Sequence, residues 1–332
     1  MHSIRSLTTF CAGLFLFMAC TIADKENPYL QMATGIVDDH PQEALQLLDS
    51  IASPLSLDKK NYMGYIVTLT QARYMDYQDI TDDVQILVAQ RYFVDKDNLE
   101  MAARASYYSA AYWYDKGDED KALACQLLAN DYARQAGNHL FQAKSAHWLG
   151  NMYYDREKLD SAKIYFRQAQ ELYPDRASNE MYQLEIKYML GATYLELEQL
   201  DEALESLDEG IETAQRLNEQ LYVAQFIHLK GYVLLEKREY QQAKTYFDQA
   251  LTKEPEAEDS LRIYLSYAVL YKYTNRPDST KYYLDLVKKR MDEISYSRIR
   301  EWAFEEFEHE FLQRLKRRRL LKTIYDTRRS FK

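Results

Sequence analysis

The sequence predicts an all-α protein, a stack of about seven helix pairs, and three observations predict it. Only 9 Gly and 6 Pro punctuate 332 residues, too few breakers for the many turns of a sandwich or barrel. A segment of about 40 residues recurs along most of the chain. Within each copy the small and bulky residues keep helical spacing.

The elements begin after a distinct leader. His2 and Arg5 precede an apolar run from Phe10 to Cys20, too short to span a bilayer core of about 30 Å but suited to a secretory signal. Residues 1–20 are therefore set apart from the fold. Phe17-Met18-Ala19-Cys20 resembles the lipobox of bacterial lipoproteins, which implies a lipid on Cys20 and attachment to a membrane through it; Thr21 after the Cys resembles an outer-membrane address. The alternative is cleavage after Ala23, leaving a soluble secreted or periplasmic chain. Cys11 leaves with the signal and Cys20 would carry lipid, so Cys125 stands alone and no disulfide framework is implied. The formal charge is −10, which favours solubility and argues against general nucleic-acid binding. No apolar run of membrane-spanning length follows residue 20.

The repeat array occupies 25–290. Its clearest copies run from His147 to Pro174, Tyr188 to Gln215 and His228 to Pro255, and they superpose without gaps. Gly150, Gly191 and Gly231 coincide, as do Ala162, Ala203 and Ala243 twelve residues later. Four residues beyond each Ala stand Phe166, Leu207 and Phe247; seven beyond stand Ala169, Gly210 and Ala250. Small residues on both helices of a pair are expected to face one another and let the backbones approach. The last three should contact the following pair. Weaker copies place Ala44, Leu48 and Ile51 first, then Ala72, Met75, Val84 and Val88, then Ala110, Trp113, Ala122 and Ala129, and finally Ala268, Tyr271, Thr280, Leu284 and Val287. The markers 44, 84, 122, 162, 203, 243 and 280 give seven repeats. The residues beyond the common period of about 34 are expected between pairs, as at Ala136-Gly137-Asn138-His139.

The order Leu149-Gly150, Tyr153, Ala162, Phe166, Ala169, Pro174 resembles the tetratricopeptide repeat slot for slot, with Ala146 in place of the family's leading Trp. The resemblance implies a right-handed superhelical solenoid and, at this longer period, the branch seen in kinesin light chains and many bacterial regulators. Asp118, Asp160, Asp201 and Asp278 each stand just before a second helix, where a carboxylate can cap orphan N–H groups. Residues 291–332 continue as an amphipathic capping helix, with Ile294, Ile299, Trp302, Phe307, Phe311, Leu315, Leu320, Leu321 and Ile324 on its apolar side. From Arg314 to Lys332 nine cations face one acid, Asp326. That tail suits an anionic lipid surface or an acidic partner, or else simply a solvated end.

No constellation for catalysis, metal or cofactor emerges, since the histidines after the leader (40, 139, 147, 228, 309) form no ligand spacing and no phosphate loop is present. The expected role is a non-enzymatic scaffold, and what remains is a groove. The resemblance implies that first-helix residues line a concave face: Arg104, Tyr107 and Tyr114, then Lys144, His147, Asn151 and Tyr154, then Tyr188, and then His228 with Tyr232. Tyr is stiff and amphipathic, which suits recognition. The family's carboxylate clamp is not reproduced, because His147 occupies its Lys position although Asn151 fits. The function expected is an envelope adaptor that holds a protein or peptide partner in this groove. The alternative is a sensory input module of an envelope signalling system that lacks an output domain.

Overall fold

A computed structural model describes residues 27–173, 179–253 and 257–293, and every regular element among them is helical. The leader with Cys20 and Ala23, the prolines Pro174 and Pro255, and residues 294–332 with the basic tail lie outside the described residues. None of the described helices is long and apolar enough to cross a membrane. Among the described residues seven antiparallel pairs follow one another. They are α1 (Pro28–Ile36) with α2 (Pro41–Asp49), α3 (Lys59–Met75) with α4 (Gln85–Asp95), α5 (Leu99–Asp115) with α6 (Glu119–Ala136), α7 (His139–Asp155) with α8 (Leu159–Leu172), α9 (Glu180–Glu196) with α10 (Leu200–Arg216), α11 (Gln220–Glu236) with α12 (Tyr240–Lys253), and α13 (Ala257–Tyr273) with α14 (Pro277–Glu293). They fall into two compact units, Met1–Ala136 and Gly137–Lys332. The chain thus has the stacked helix-pair fold predicted for it.

The long period has only in part the expected origin. First helices α3, α5, α7, α9, α11 and α13 are each 17 residues long. In the best-formed repeat α10 is also 17, and three residues (197–199, 217–219) make each connection. In that repeat the added length lies in the helices, and Gly137 and Asn138 alone separate α6 from α7, whereas between α8 and α9 the seven residues 173–179 do lie between pairs, as expected.

Such short connections need a sharp stop. After α7, Lys158 N–H donates to the Tyr153 carbonyl (2.8 Å) and Glu157 N–H to that of Tyr154 (2.9 Å), which satisfies the terminal carbonyls only if the residue between turns left-handed. Gly117 and Gly137 meet that demand without strain, but Glu157, Glu198 and Arg238 sit at φ 56°, 62° and 64°, where an L side chain costs roughly 1–2 kcal/mol.

Helix starts correct one expectation. Asn138 accepts from Phe141 N–H at 3.0 Å and Asp118 from Lys121 N–H at 3.1 Å, so both cap. Asp160, Asp201 and Asp278 lie inside the first turns of α8, α10 and α14, and the N-cap residues Lys158 and Gln199 make no side-chain cap bond. The dipole term remains for these acids; the hydrogen bond does not.

Packing within a pair also differs in detail. What fills the space beside Gly150 is not a small partner but the ring of Phe166, with Cδ1 2.5 Å from where a Cβ would stand. Leu207 fills the same place beside Gly191 (2.6 Å) and Phe247 beside Gly231 (2.8 Å). The glycine is a socket for the bulky residue of its own second helix. Between pairs the expectation holds at Gly210, whose missing Cβ is replaced by the Phe226 ring of α11, with Cε1 2.1 Å away.

The second repeat was placed out of register. Val84 and Val88 are half exposed, whereas Ile86, Ala89 and Phe93 are buried, so the marker is Ile86. The cause is the longer connection 76–84, where Ile80 plugs the core and Arg73 pairs with Asp83 at 2.6 Å. Cys125 is buried, and burial raises its thiol pKa despite the hydrogen bond from Gln90, the state of an inert packing residue.

Candidate functional site

The α7–α14 unit carries seven of the candidate residues. Lys144, His147, Asn151 and Tyr154 recur at three- and four-residue steps along α7; Tyr188 belongs to α9, and His228 and Tyr232 to α11. Tyr188 and His228 hold the same register as His147, three residues before their glycines, and Tyr232 that of Asn151, one after. α9 packs beside both α7 and α11, so this register forms one continuous face. All seven are only 3–9 % exposed. They are the floor of the face, able to present edges and polar tips to a partner.

His147 and His228 sit alike. Their rings tilt against Phe166 and Phe247 at 6.2 and 5.8 Å, the same rings that fill the glycine sockets. His147 adds Tyr182 edge-on at 6.3 Å and Glu185 at 3.9 Å. His228 Nε2 lies 2.8 Å from Ser266 Oγ, and that hydroxyl donates to the Arg262 carbonyl at 3.1 Å. With the Ser hydrogen so directed, Nε2–H is the donor to Ser266. Burial, helped by the Arg262 charge, lowers the His228 pKa to about 3, so the ring is neutral at ordinary pH.

The remaining members are positioned by packing. Lys144 Nζ lies over the Phe141 ring at 5.2 Å, and the Tyr188 ring meets Phe226 edge-on at 5.7 Å. Burial pushes the Tyr154 pKa well up, with further contributions from Glu196, Tyr188 and Asp155. The hydroxyl therefore stays a neutral donor. Asn151 is buried, and its Oδ1 makes no hydrogen bond.

Arg104, Tyr107 and Tyr114 belong to α5 in the other unit and are half-buried. Arg104 donates to Gln71 Oε1 (3.3 Å) and stands near Asp38 (3.8 Å) and Glu100 (3.5 Å), while Gln71 in turn donates to Asp38 (3.1 Å). This polar network ties the turn between α1 and α2 to α3 and α5.

Sequence reasoning missed the acids. Glu185 lies 3.9 Å from His147, and Glu196 and Asp155 act electrostatically on Tyr154. A signal was available: Asp155, Glu196 and Glu236 all stand five residues after their glycines, the last positions of α7, α9 and α11. Chemically the face offers hydrogen-bond acceptors, aromatic edges and fixed charge. Among the described residues no group of three His, Cys, Asp or Glu side chains is arranged to hold a metal ion.

The Tetratricopeptide repeat family matches residues 143–176, 184–216 and 224–256, so the three clearest copies are tetratricopeptide repeats. Among solved structures the chain is similar to the apo form of RapI (TM-score 0.63, 12 % identity, covering 91 % of this chain and 86 % of that one). It is similar to the apo form of the quorum sensor NprR from B. thuringiensis (0.62, 14 %, 87 % and 83 %). NprR in complex with its cognate peptide NprX is a third (0.57, 15 %, 84 % and 81 %). No curated protein matches the sequence.

Proposed function

We propose that this chain is a non-enzymatic scaffold that holds an extended peptide segment of a partner against the face formed by α7, α9 and α11. The observation that carries the reading is the juxtaposition of Lys144, His147, Asn151, Tyr154, Tyr188, His228 and Tyr232 on that face. Support comes from the likeness to NprR, a protein of the same fold solved with its cognate peptide. A rigid floor of Tyr and His gives large contact area at low entropic cost. A neutral, buried His228 and a raised Cys125 thiol serve binding better than acid–base or nucleophilic work.

Location belongs to the same proposal. The lipobox-like Phe17-Met18-Ala19-Cys20 supports a lipid-anchored envelope protein, and the cation-rich end from Arg314 supports contact with an anionic surface or acidic partner. Two experiments test the parts separately. Cys20→Ala should move the protein from the membrane to the soluble fraction, and retention in the membrane would refute the anchor. Pull-down from intact cells with wild type and with Asn151→Ala plus Tyr154→Phe should lose one specific partner. An identical partner set would refute the face.

A sensor is the second reading, favoured by the likeness to a quorum sensor seen with and without peptide. It requires that the peptide change the protein's shape. Scattering profiles that superpose with and without saturating peptide would exclude it.

A further inference from the structure

The helices α7, α9 and α11 end on Asp155, Glu196 and Glu236. A helix C-terminus is the negative end of the dipole, where a carboxylate is disfavoured. The middle one is withdrawn from water, since Glu196 is 8 % exposed. Tyr154, buried and next to Asp155 in the chain, lies within electrostatic reach of Glu196, Tyr188 and Asp155. One helical turn before Asp155, on the same face, Asn151 is more than nine-tenths buried, and its Oδ1 makes no hydrogen bond. A buried acceptor of this kind is expected to meet a donor when the protein works. Carboxylates and an amide oxygen together select a donor with positive charge.

The spacing narrows the ligand further. Adjoining helices stand on the order of 10 Å apart, and an extended chain in the polyproline II conformation advances about 3.1 Å per residue with about three residues per turn. Every third side chain of such a peptide falls on the same side of the chain and keeps step with one helix end. We propose that Asp155, Glu196 and Glu236, with Asn151 and Tyr154, form a ledge that binds Lys or Arg side chains at every third position of an extended partner segment. The ledge rests on the peptide-scaffold reading and specifies its ligand.

The test uses the full-length protein and fluorescent peptides. One carries Arg at every third position among Ser and Ala. A second has the same composition with the Arg residues adjacent. An unbiased peptide array runs beside them. Wild type should bind the first at least about tenfold more tightly than the second. Asp155→Asn with Glu196→Gln and Glu236→Gln should weaken the first by about tenfold or more, as expected for losing charge-assisted bonds. Neutralising Glu202, Glu205 and Glu212 on α10 changes net charge equally and should leave binding intact; circular dichroism checks folding of both triple variants. Equal binding of the two peptides, or equal loss in both variants, overturns the ledge as a nonspecific charge effect. If the array yields a neutral ligand whose binding the ledge variant retains, the ledge falls and the scaffold reading stands. If no peptide binds, both fall.

Discussion

Adding one methyl group at Gly210 should destabilise the protein, and adding the same group at Gly35 should stabilise it. Both glycines lie within helices, where Gly→Ala alone gains up to about 1 kcal/mol. At Gly35 nothing lies within 4 Å of the new Cβ, so most of that gain should survive, less some loss near the end of α1. At Gly210 the new atom falls 2.1, 2.4 and 2.6 Å from three atoms of the Phe226 ring. To reach ordinary contact at 3.4 Å the ring must retreat 1.3 Å (3.4 − 2.1). Phe226 is fully buried, so it has nowhere free to go, and overpacking of this kind costs roughly 1–3 kcal/mol or more. The net expectation is a loss of about 2 kcal/mol. Urea unfolding followed by far-ultraviolet circular dichroism measures it through the midpoint. Hydrogen exchange in α10 and α11 locates the loss, which matters because repeat arrays need not unfold in two states. Phe226→Leu should cost stability in wild type but recover part of it in Gly210→Ala, giving a favourable coupling of about 1 kcal/mol or more. A Gly210→Ala protein as stable as wild type, or additive single effects, would refute the socket.

Three further outcomes are expected. The His228 pKa is depressed from 6.5 to about 3, so the unfolded chain takes up the proton first; stability is full above pH 6.5 and falls as pH drops from there towards 3. Between pH 7 and 5.5 wild type should lose about 1 kcal/mol more than His228→Gln, and parallel denaturation profiles would contradict the buried neutral ring. Glu157→Gly, Glu198→Gly and Arg238→Gly should each stabilise by about 0.5–1 kcal/mol, since relief of left-handed strain outweighs the added chain entropy; a fall in the urea midpoint would count against the turn geometry. Cys125 should resist a thiol reagent in native buffer and react at once in denaturant, and fast native labelling would show that it is not the buried residue described above.

Much of the fold was legible because its strongest signals are local. A Gly twelve residues before an Ala, with bulky residues four further on, specifies a helix pair wherever the turn is three residues long, and α7 to α12 satisfy that. The second repeat escaped because its turn is longer: a fixed frame carried across 76–84 fell on Val84 and Val88 instead of Ile86. Only part of the added length was placed correctly, because Glu157, Glu198 and Arg238 give no sequence sign of a stop; bonds to the preceding carbonyls impose the left-handed turn, not a glycine. For the candidate site, the resemblance placed these residues on first helices, where the structure has them, but carried no sign of their burial. Whether His228 is a surface ligand or a floor residue depends on Phe247 and Ser266, 19 and 38 positions away. The acids at the helix ends were not singled out, because the groups that act on them come from other helices as well as their own.

The Gly210–Phe226 contact also bears on interchangeability. A repeat of 17, 3, 17 and 3 residues looks like a module that could be removed whole, joining the end of α8 to the start of α11. Its faces are not equivalent, however. Five residues before each first-helix glycine or its equivalent stand Ile186, Phe226 and Ile263, and the small residue at the matching place in the preceding second helix is Ala169, Gly210 and Ala250 respectively. The Phe goes with the Gly and each Ile with an Ala. Excising residues 180–219 would present Phe226 to Ala169, which has a methyl group where the ring must go. Each junction in this unit is therefore keyed to its neighbour, and the order of the repeats is fixed by volume as well as by sequence.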